Sequence, residues 1–448
     1  MPDGNNDMDE SLRIECEWWG PAYGEKCISE VSRAAIGLCV GEQWLTRLED
    51  SWGNTVRNRL NACAYTLAGW FAANWWRLRW EPETPASRKD VDWRMSHSMA
   101  SAGGGFCWPS ILFASDGESI AVASQASRGR ILGPVRYLNE VKARISAKEF
   151  ERAIDVFLSL VLSRLQSEGY RKSDLAELWD DVMKERGDPA LAQWRRLEAI
   201  CGFDPGEAPS AVIEMLVADA AGLGSKALEE VAAEGRHSVQ NVLEPILDLA
   251  ASNERPLGGG FRGKMPELPS KPRYEAHMRP WQQASKLAQL VRKQWGLGEE
   301  AISDKQLADF LGTKASVFSD RTKGPTSMPV ALQSVTHDGR FDFYFHSAWA
   351  TSRRFSAARL LGDYLHQARD GRLIPATRAR TSRQQFQRAF AQEFLCPFKA
   401  LVARIQTDQP DEEDIAEAAD FFGVSSLMVK TTLVNRGELD REALVWDN

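Results

Sequence analysis

Residues 353–366 form the stretch RRFSAARLLGDYLH, which decides the fold predicted for the last third of the chain. Its pattern predicts a helix over Ser352–His366. Two further stretches accompany it, RPWQQASKLAQLVR at 279–292 and FAQEFLCP at 390–397. Both of these also have the spacing of apolar residues that is typical of helices. The last third of the chain is therefore expected to be mainly helical.

Together, the three stretches resemble the ImmA/IrrE family of bacterial metallopeptidases. The zinc helix of that family has the pattern R-R-F-T-x-A-H-E-x-G-H-Y-x-x-H, and a later segment has the pattern F-A-x-E-L-L-M-P. The resemblance covers about residues 275–440. It implies a zincin-like domain that ends in a small helical subdomain. The first 250 residues lie outside the resemblance.

The departures from the family pattern fall where its metal chemistry lies. Arg359 and Asp363 stand at the two histidine positions, four residues apart on one helix face. Leu360 stands at the position of the general base, and Gln384 stands where the family has its third ligand, a glutamate. Arginine offers no lone pair, leucine takes no proton, and glutamine brings a neutral oxygen. We therefore expect no cofactor, no metal and no hydrolysis, with the peptidase fold kept as a scaffold.

Two arrangements are compatible with such an altered centre. In the first, Arg359 and Asp363, one helical turn apart, pair with each other and fill the site with a salt bridge. In the second, Asp363, His366 and Glu393 form a shifted metal site, and the domain remains a metallopeptidase that cleaves a partner regulator. The first is favoured because no neighbouring base is left to activate water.

A DNA-binding regulator is a further alternative. Residues 414–436 fit a helix-turn-helix template around Gly423, but the acidic start of this segment disfavours approach to phosphate, so packing is favoured as its role. The candidates for contact with DNA or a protein partner are basic residues of the zinc helix, the loop and helix after it, and the last helix: Arg353, Arg354, Arg378, Arg380, Arg383, Arg388, Lys430 and Arg436.

Charge is distributed unevenly along the chain, whose formal net charge is -7. Residues 1–253 carry 27 basic and 38 acidic side chains, residues 254–405 carry 25 and 13, and residues 406–448 carry 3 and 11. A basic middle suits a surface that faces DNA. Docking of this basic part against the acidic parts of the same chain explains the charge distribution equally well, and we favour docking.

The opening quarter of the chain is rich in tryptophan, with ten of the 16 Trp residues in the first 108 positions. A candidate pocket for a nucleotide or a partner's side chain consists of Trp75, Trp76, Arg77, Trp80 and His97. An aromatic core is the favoured alternative, because tryptophan is highly buried on average.

The organisation of the remaining chain predicts an α+β protein that is mainly helical. The first part has a strand over Ala34–Val40, a hairpin signal at Asp116-Gly117 and a helical pattern over Thr55–Trp80. Helical signals follow from Ala147, and Gly- and Pro-rich sequence then predicts a linker. The predicted parts are a Trp-rich α+β sensor or partner-binding domain (1–145), a helical bundle (146–253), the linker (254–274) and the pseudo-peptidase domain (275–448).

Composition excludes several classes of protein. A content of 43% hydrophobic and 26% charged residues is globular and excludes a disordered chain. The seven cysteines are scattered without a C-x-x-C pair, so neither a disulfide framework nor a thiolate zinc site is expected. The polar, acidic N-terminus does not resemble a signal peptide, and the apolar stretch over Ala62–Trp76 is too short to span a bilayer. We expect a cytoplasmic protein without a membrane partner.

The sequence therefore predicts a non-catalytic regulatory protein that binds a partner encoded beside it. The resemblance implies a setting in stress response, phage defence or control of mobile elements. DNA, bound through the basic region at 254–405, remains an alternative partner.

Overall fold

The computed structural model of the protein describes residues 11–19, 27–128, 133–236, 239–252, 259–270, 272–275, 278–337, 339–366, 370–407 and 409–440. Within these residues the chain divides into two compact units. The N-terminal unit ends at Ile213 and also includes Ala379–Thr381, and the C-terminal unit contains Glu214–Arg378 and the residues after Thr381. Helices and several small sheets are present, so the chain is α+β, as predicted. The residues predicted as a helical bundle are divided between the two units.

The N-terminal unit contains three small sheets and a set of helices. Its strands are β1 (Leu12–Trp18), β2 (Arg33–Val40), β3 (Gln43–Trp44), β4 (Leu48–Asp50), β5 (Thr55–Arg57), β6 (Leu60–Cys63), β7 (Ile111–Ser115), β8 (Ser119–Ser124), β9 (Val135–Tyr137) and β10 (Val141–Ser146). Its helices are α1 (Ile28–Val31), α2 (Ala64–Ala73), α3 (Trp75–Trp80), α4 (Val91–His97), α5 (Ala147–Ser167), α6 (Asp174–Gly187), α7 (Pro189–Ile200) and α8 (Ser210–Ala218), which continues into the second unit. The sheets have the orders β1-β2-β3 with β6 on β2, β10-β8-β7 and β5-β4-β9.

The helix predicted over Thr55–Trp80 is wrong in its first part. The chain there forms β5 and β6, and β6 pairs antiparallel with β2, so that Leu60 lies opposite Ile36. Pairing with a buried strand therefore outweighs the local helical pattern. The helical part is also interrupted, because the Asn74 side chain donates to the carbonyl oxygen of Trp70 and separates α2 from α3.

Other sequence signals in this unit are confirmed. The predicted strand over Ala34–Val40 is β2, and β7 and β8 form the hairpin around Asp116-Gly117. The predicted helical signal begins at Ala147 with α5, whose Phe157 packs edge-on against Phe71 of α2 at 6.1 Å between ring centroids. None of the helices in the described part of the chain combines the length and the apolar character needed to cross a membrane.

The C-terminal unit has one four-stranded antiparallel sheet surrounded by helices. The strands are β11 (Gly260–Lys264), β12 (Val330–Gln333), β13 (Arg340–Tyr344) and β14 (Leu373–Pro375), in the order β11-β13-β12-β14. The helices are α9 (Ala220–Leu223), α10 (Ser225–Ala232), α11 (Val239–Ala251), α12 (Pro280–Gln294), α13 (Asp304–Phe310), α14 (Ser316–Ser319), α15 (Ala350–His366), α16 (Ser382–Leu395), α17 (Phe398–Ile405), α18 (Glu412–Phe422) and α19 (Ser426–Arg436). The buried core lies between the sheet and α12, α15 and α16.

Part of the predicted linker at 254–274 is a strand of this sheet. β11 pairs antiparallel with β13 over its whole length, from Gly260 opposite Tyr344 to Lys264 opposite Arg340. The glycines of β11 explain why its sequence does not predict a strand, because glycine is depleted in strands. Gly263 is needed here, since a β-carbon at this position would clash with the carbonyl oxygen of Leu311.

Helices α15 and α16 approach each other closely at Gly362. A β-carbon on Gly362 would lie 2.5 Å from Cγ of Phe390 on α16, well inside van der Waals contact. Phe390 itself is fully buried and stacks on Phe394 at 5.4 Å. The small residue therefore sets the distance between the two helices that carry the candidate site.

We expect Gly362→Ala to lower the free energy of unfolding by about 1–3 kcal/mol, because the added methyl group overpacks the contact with Phe390. The change is measured by thermal and urea unfolding. Gly69→Ala in α2 is the matched control, since a β-carbon at Gly69 meets nothing within 4 Å. The control should gain up to about 1 kcal/mol from higher helix propensity. An equal gain in Gly362→Ala would contradict the close approach of α15 and α16.

Candidate functional site

The candidate site is centred on Arg359, in the middle of α15. This residue is buried, with 8% of its surface exposed. Its Nη2 donates to the carbonyl oxygen of Thr377 at 2.7 Å and also to Oε1 of Gln384 on α16. Two positions that the family resemblance places at one metal are therefore in direct contact, although 25 residues separate them in the chain.

The amide of Gln384 is held in one orientation by the backbone around it. Its Oε1 also accepts from the backbone N–H of Thr377 at 3.0 Å, and its Nε2 donates to the carbonyl oxygen of Pro375 at 3.2 Å. Gln384 thereby fastens the end of β14 to α16. Its oxygen is occupied by two donors of the chain itself.

The predicted pair between Arg359 and Asp363 is wrong. Asp363 pairs instead with Arg383 of α16, through Nε to Oδ1 at 2.8 Å and Nη2 to Oδ2 at 2.6 Å. The two parallel hydrogen bonds match the fork of a guanidinium to a carboxylate, a geometry that a neighbour on the same helix achieves less readily. Burial alone would lower the pKa of Arg383, but the Asp363 carboxylate outweighs burial and raises it.

The surroundings of Arg359 disfavour the charged form of its guanidinium. Burial, together with the nearby positive charge of Arg388, lowers the pKa of this guanidinium to about 9. Glu230, Glu234 and Asp363 act in the opposite direction. A group with this pKa is protonated at neutral pH, so the position that the resemblance places at the metal carries a positive charge.

The acidic groups near Arg359 come from the end of α10 and the turn after it. Glu230 and the Glu234 side chain are buried, and the field of Glu230 reaches both Arg359 and Arg383. Glu234 accepts from Nη2 of Arg378 at 3.1 Å. Helix α10 packs against β14, the outermost strand of the sheet.

The start of α10 is fixed to the loop after α15. Asp370 accepts hydrogen bonds from the hydroxyl of Ser225 and the backbone N–H of Lys226, both at 3.0 Å. Gly371 packs directly against the backbone of Leu223 and Gly224, where no β-carbon would fit. The helix is therefore anchored at its first turn by Asp370 and beyond its last turn by the pair of Glu234 and Arg378.

Three buried polar atoms at the site have no hydrogen-bond partner within the described residues: Arg359 Nε, Thr377 Oγ1 and Gln387 Oε1. Gln387 lies one turn after Gln384, and its Nε2 donates to the carbonyl oxygen of Pro375 at 2.9 Å. Unpaired polar groups are rare in protein interiors. With three such atoms at one site, the polar groups in this part of the core outnumber the hydrogen-bond partners that the described residues supply.

These residues do not fit zinc. The positions at the centre offer a guanidinium and an amide that are already bonded to each other, together with a carboxylate held by Arg383. Leu360 is fully buried in the hydrophobic core. Among the described residues, no three His, Cys, Asp or Glu side chains are grouped so that they could bind a metal ion.

The alternative ligands Asp363, His366 and Glu393 are likewise not brought together. The ring of His366 stacks on Phe386 at 3.8 Å, and its Nδ1 lies 3.3 Å from the hydroxyl of Tyr274. Glu393 accepts from Nε2 of Gln289 on α12 at 2.9 Å. Each of the three side chains thus belongs to a separate set of contacts.

Arg353 and Arg354, predicted to contact DNA or a partner, are buried inside the C-terminal unit. Arg353 donates to the carbonyl oxygens of Ser347 and Val317, both at 2.8 Å, and also to that of Thr322. Arg354 pairs with Asp304 and donates to the carbonyl oxygen of Gly423 at 2.9 Å. Both arginines join loops of the fold, and Arg354 holds the turn between α18 and α19 in place.

Other predicted contact residues have acidic neighbours in their own unit. Arg383 pairs with Asp363, and Arg378 pairs with Glu234. Within the N-terminal unit, as divided above, Nη1 of Arg380 lies 3.1 Å from Oε2 of Glu83. Lys430 pairs with Glu412, Arg436 lies 3.6 Å from Glu393, and Arg388 lies close enough to Arg359 to influence its charge. A carboxylate of the chain itself therefore lies beside Arg378, Arg380, Arg383, Lys430 and Arg436.

The predicted N-terminal pocket is an aromatic core. Trp75 and Trp76 are buried and meet edge-on at 4.8 Å. Arg77 is also buried and pairs with Glu81, while Trp80 has the guanidinium groups of Arg79 and Arg196 at 3.7 and 4.0 Å from its ring centroid. His97 completes the set and is fully buried. The arginines of the chain itself thus occupy the places that a bound base would take.

Sequence reasoning missed Glu230, Glu234, Asp370 and the carbonyl oxygen of Thr377. The excess of acidic residues before the predicted linker and of basic residues after it was the available signal, and the pair of Glu234 and Arg378 is an instance of such docking. Nothing in the sequence marks a backbone carbonyl such as that of Thr377. Comparisons of the chain with protein-family models, with curated proteins and with solved structures found no match.

Proposed function

We propose that the protein is a non-catalytic regulatory component that binds a protein partner and contains a degenerate ImmA/IrrE-like metallopeptidase domain. The observation that carries this proposal is the direct contact of Arg359 with Gln384. The resemblance predicts that these two positions lie at one metal site. Neither a guanidinium nor a neutral amide is a good zinc ligand, and a hydrogen bond between them fits a site that no longer binds metal.

The reason for proposing a loss of catalysis is chemical. Hydrolysis in the resembled family needs a metal and a base, whereas this chain places a cation and an apolar side chain at the corresponding positions, Arg359 and Leu360. The three unpaired polar atoms near Arg359 also fit a site that has lost its original ligand. Arg359 with Gln384, and Asp363 with Arg383, instead hold α15 and α16 together.

Helix α10 packs against β14, the outermost strand of the C-terminal sheet, so we infer that the partner is recognised on a surface other than this one. As the resemblance implies, the setting is stress response, phage defence or control of mobile elements, and the partner is a protein encoded beside this one.

Metal content tests the proposal. Protein purified in the presence of zinc should contain far less than one zinc per chain by elemental analysis, because Arg359 repels divalent cations. All four family residues are restored in a variant with Arg359→His, Leu360→Glu, Asp363→His and Gln384→Glu. This variant should bind zinc if α15 and α16 have the geometry of the family.

The control for the restored variant omits only Gln384→Glu and should bind zinc more weakly, since the third, anionic ligand is missing. Stoichiometric zinc in the natural protein would overturn the proposal and favour a metallopeptidase with a rearranged site. Absence of binding in a folded restored variant would contradict the resemblance itself, while the natural protein would remain without metal.

A further inference from the structure

Trp349, just before α15, is the most unusual surface residue of the C-terminal unit. It is 76% exposed, although burial of a side chain of this size contributes about 2–3 kcal/mol. Its ring stacks on no aromatic or cationic group of the described chain. By contrast, Trp295 in the same unit stacks on Phe310 at 4.4 Å. Trp349 therefore presents a free aromatic face to its surroundings.

The loops around Trp349 are held by the buried guanidinium of Arg353. This one group donates to the carbonyl oxygens of Ser347, Val317 and Thr322, which belong to three different segments. Gly324 adds a backbone hydrogen bond to Phe345 at 2.8 Å. The segment that carries Trp349 and the loop at 320–324 are thus fixed close together.

The loop at 320–324 adds two positive charges to this surface. Arg321 and Lys323 are exposed, and neither forms an ion pair with any residue that the structure describes. Asp320, the acidic residue of the loop, accepts from the backbone N–H of Thr322 at 2.9 Å. In contrast to Arg378 and Arg383, these two cations are available to a ligand.

We propose that Trp349, Arg321 and Lys323 form a binding surface for single-stranded nucleic acid. One unpaired base stacks on the indole, and the two cations contact neighbouring phosphates. Charge complementarity favours a polyanion, and the free ring favours one that carries planar groups. A duplex is a poor ligand because its bases are already stacked, and an acidic peptide offers charge without a planar partner.

This proposal does not depend on the fate of the metal site, and binding of a labelled oligothymidine by the full chain tests it. Fluorescence anisotropy should show binding that weakens with added salt. Trp349→Ala should lower the affinity about ten-fold or more. Arg321→Ala with Lys323→Ala should weaken binding and reduce the slope of log K against log salt by about 1.4.

Trp52→Ala is the matched control, because Trp52 is 86% exposed but belongs to the N-terminal unit. It should leave the affinity unchanged, and all variants should keep the melting temperature because the changed side chains are exposed. Equal affinity of Trp349→Ala and the natural protein would overturn the proposal. So would equal binding of a duplex, or competition by polyglutamate as effective as that by unlabelled oligothymidine, which would identify an acidic protein segment as the ligand.

Discussion

Arg383→Ala is expected to lower the free energy of unfolding by about 3–5 kcal/mol, the largest effect of any single substitution considered for this protein. The reason is the buried carboxylate of Asp363, which is 3% exposed and has Arg383 as its ion-pair partner. Removal of the guanidinium leaves that charge in the core without compensation. The intact pair therefore has little net effect on stability, whereas removal of one member lowers the free energy of unfolding substantially.

Urea unfolding of the full chain, followed by circular dichroism, measures this effect. Arg340→Ala is the matched control in the same unit, because Arg340 is an exposed arginine without an ion pair in the described chain, and we expect a change within about 0.5 kcal/mol. The double variant Asp363→Leu with Arg383→Met should recover most of the lost stability, since apolar residues often replace a buried pair without cost. Equal stability of Arg383→Ala and Arg340→Ala would contradict the buried pair.

Acid is expected to destabilise the N-terminal unit through His97, by about 1.4 kcal/mol for each pH unit below 6.5. Burial lowers the pKa of His97 from 6.5 to about 3, and the positive charge of Arg77 acts in the same direction. Between these pKa values the unfolded chain binds a proton that the folded chain does not bind, so the free energy of unfolding falls as the pH falls.

The surroundings of His97 explain why it stays neutral. Its ring stacks on Trp93 at 4.3 Å, and its Nδ1 lies 2.9 Å from the carbonyl oxygen of Trp93, so this nitrogen carries the proton. Glu81 approaches Nε2 only to 3.6 Å and is already paired with Arg77. Asp92, which also favours the charged form, pairs with Arg77 as well.

The difference in unfolding free energy between the natural protein and His97→Gln, measured in urea at several pH values, isolates this contribution. By pH 4 the natural protein should have lost about 3 kcal/mol more than the variant. Parallel pH profiles for the natural protein and His97→Gln would show that His97 becomes charged in the folded state.

Helices could be predicted from the sequence far better than strands. α5 and α6 have long apolar stripes and serine caps, which are local signals, and the Ser173 hydroxyl does accept from the backbone N–H of Ala176. β12 and β14 are four and three residues long and were not predicted, because so short a strand has too few positions to show alternation. β6 was misjudged because its pairing with β2 is not a local property.

The candidate site shows the same division between local and distant causes. The resemblance placed Arg359 and Gln384 at one site, and these two side chains do meet. The partner of Asp363 was misassigned because a residue on another helix, Arg383, reaches it with better geometry. The contribution of α10 lies more than 120 positions before Arg359 in the chain, a distance at which periodicity and spacing carry no information.

The anchoring of α10 by Asp370 has a consequence for the order in which the chain folds. Lys226 and Asp370 are 144 residues apart, so α10 is synthesised long before the residue that fixes its first turn. A helix of eight residues is not stable alone. When β14 is finally made, the helix that packs against it is already present in the chain. This outermost strand can therefore be packed as soon as it forms, which shortens the period in which it could pair with another copy and aggregate.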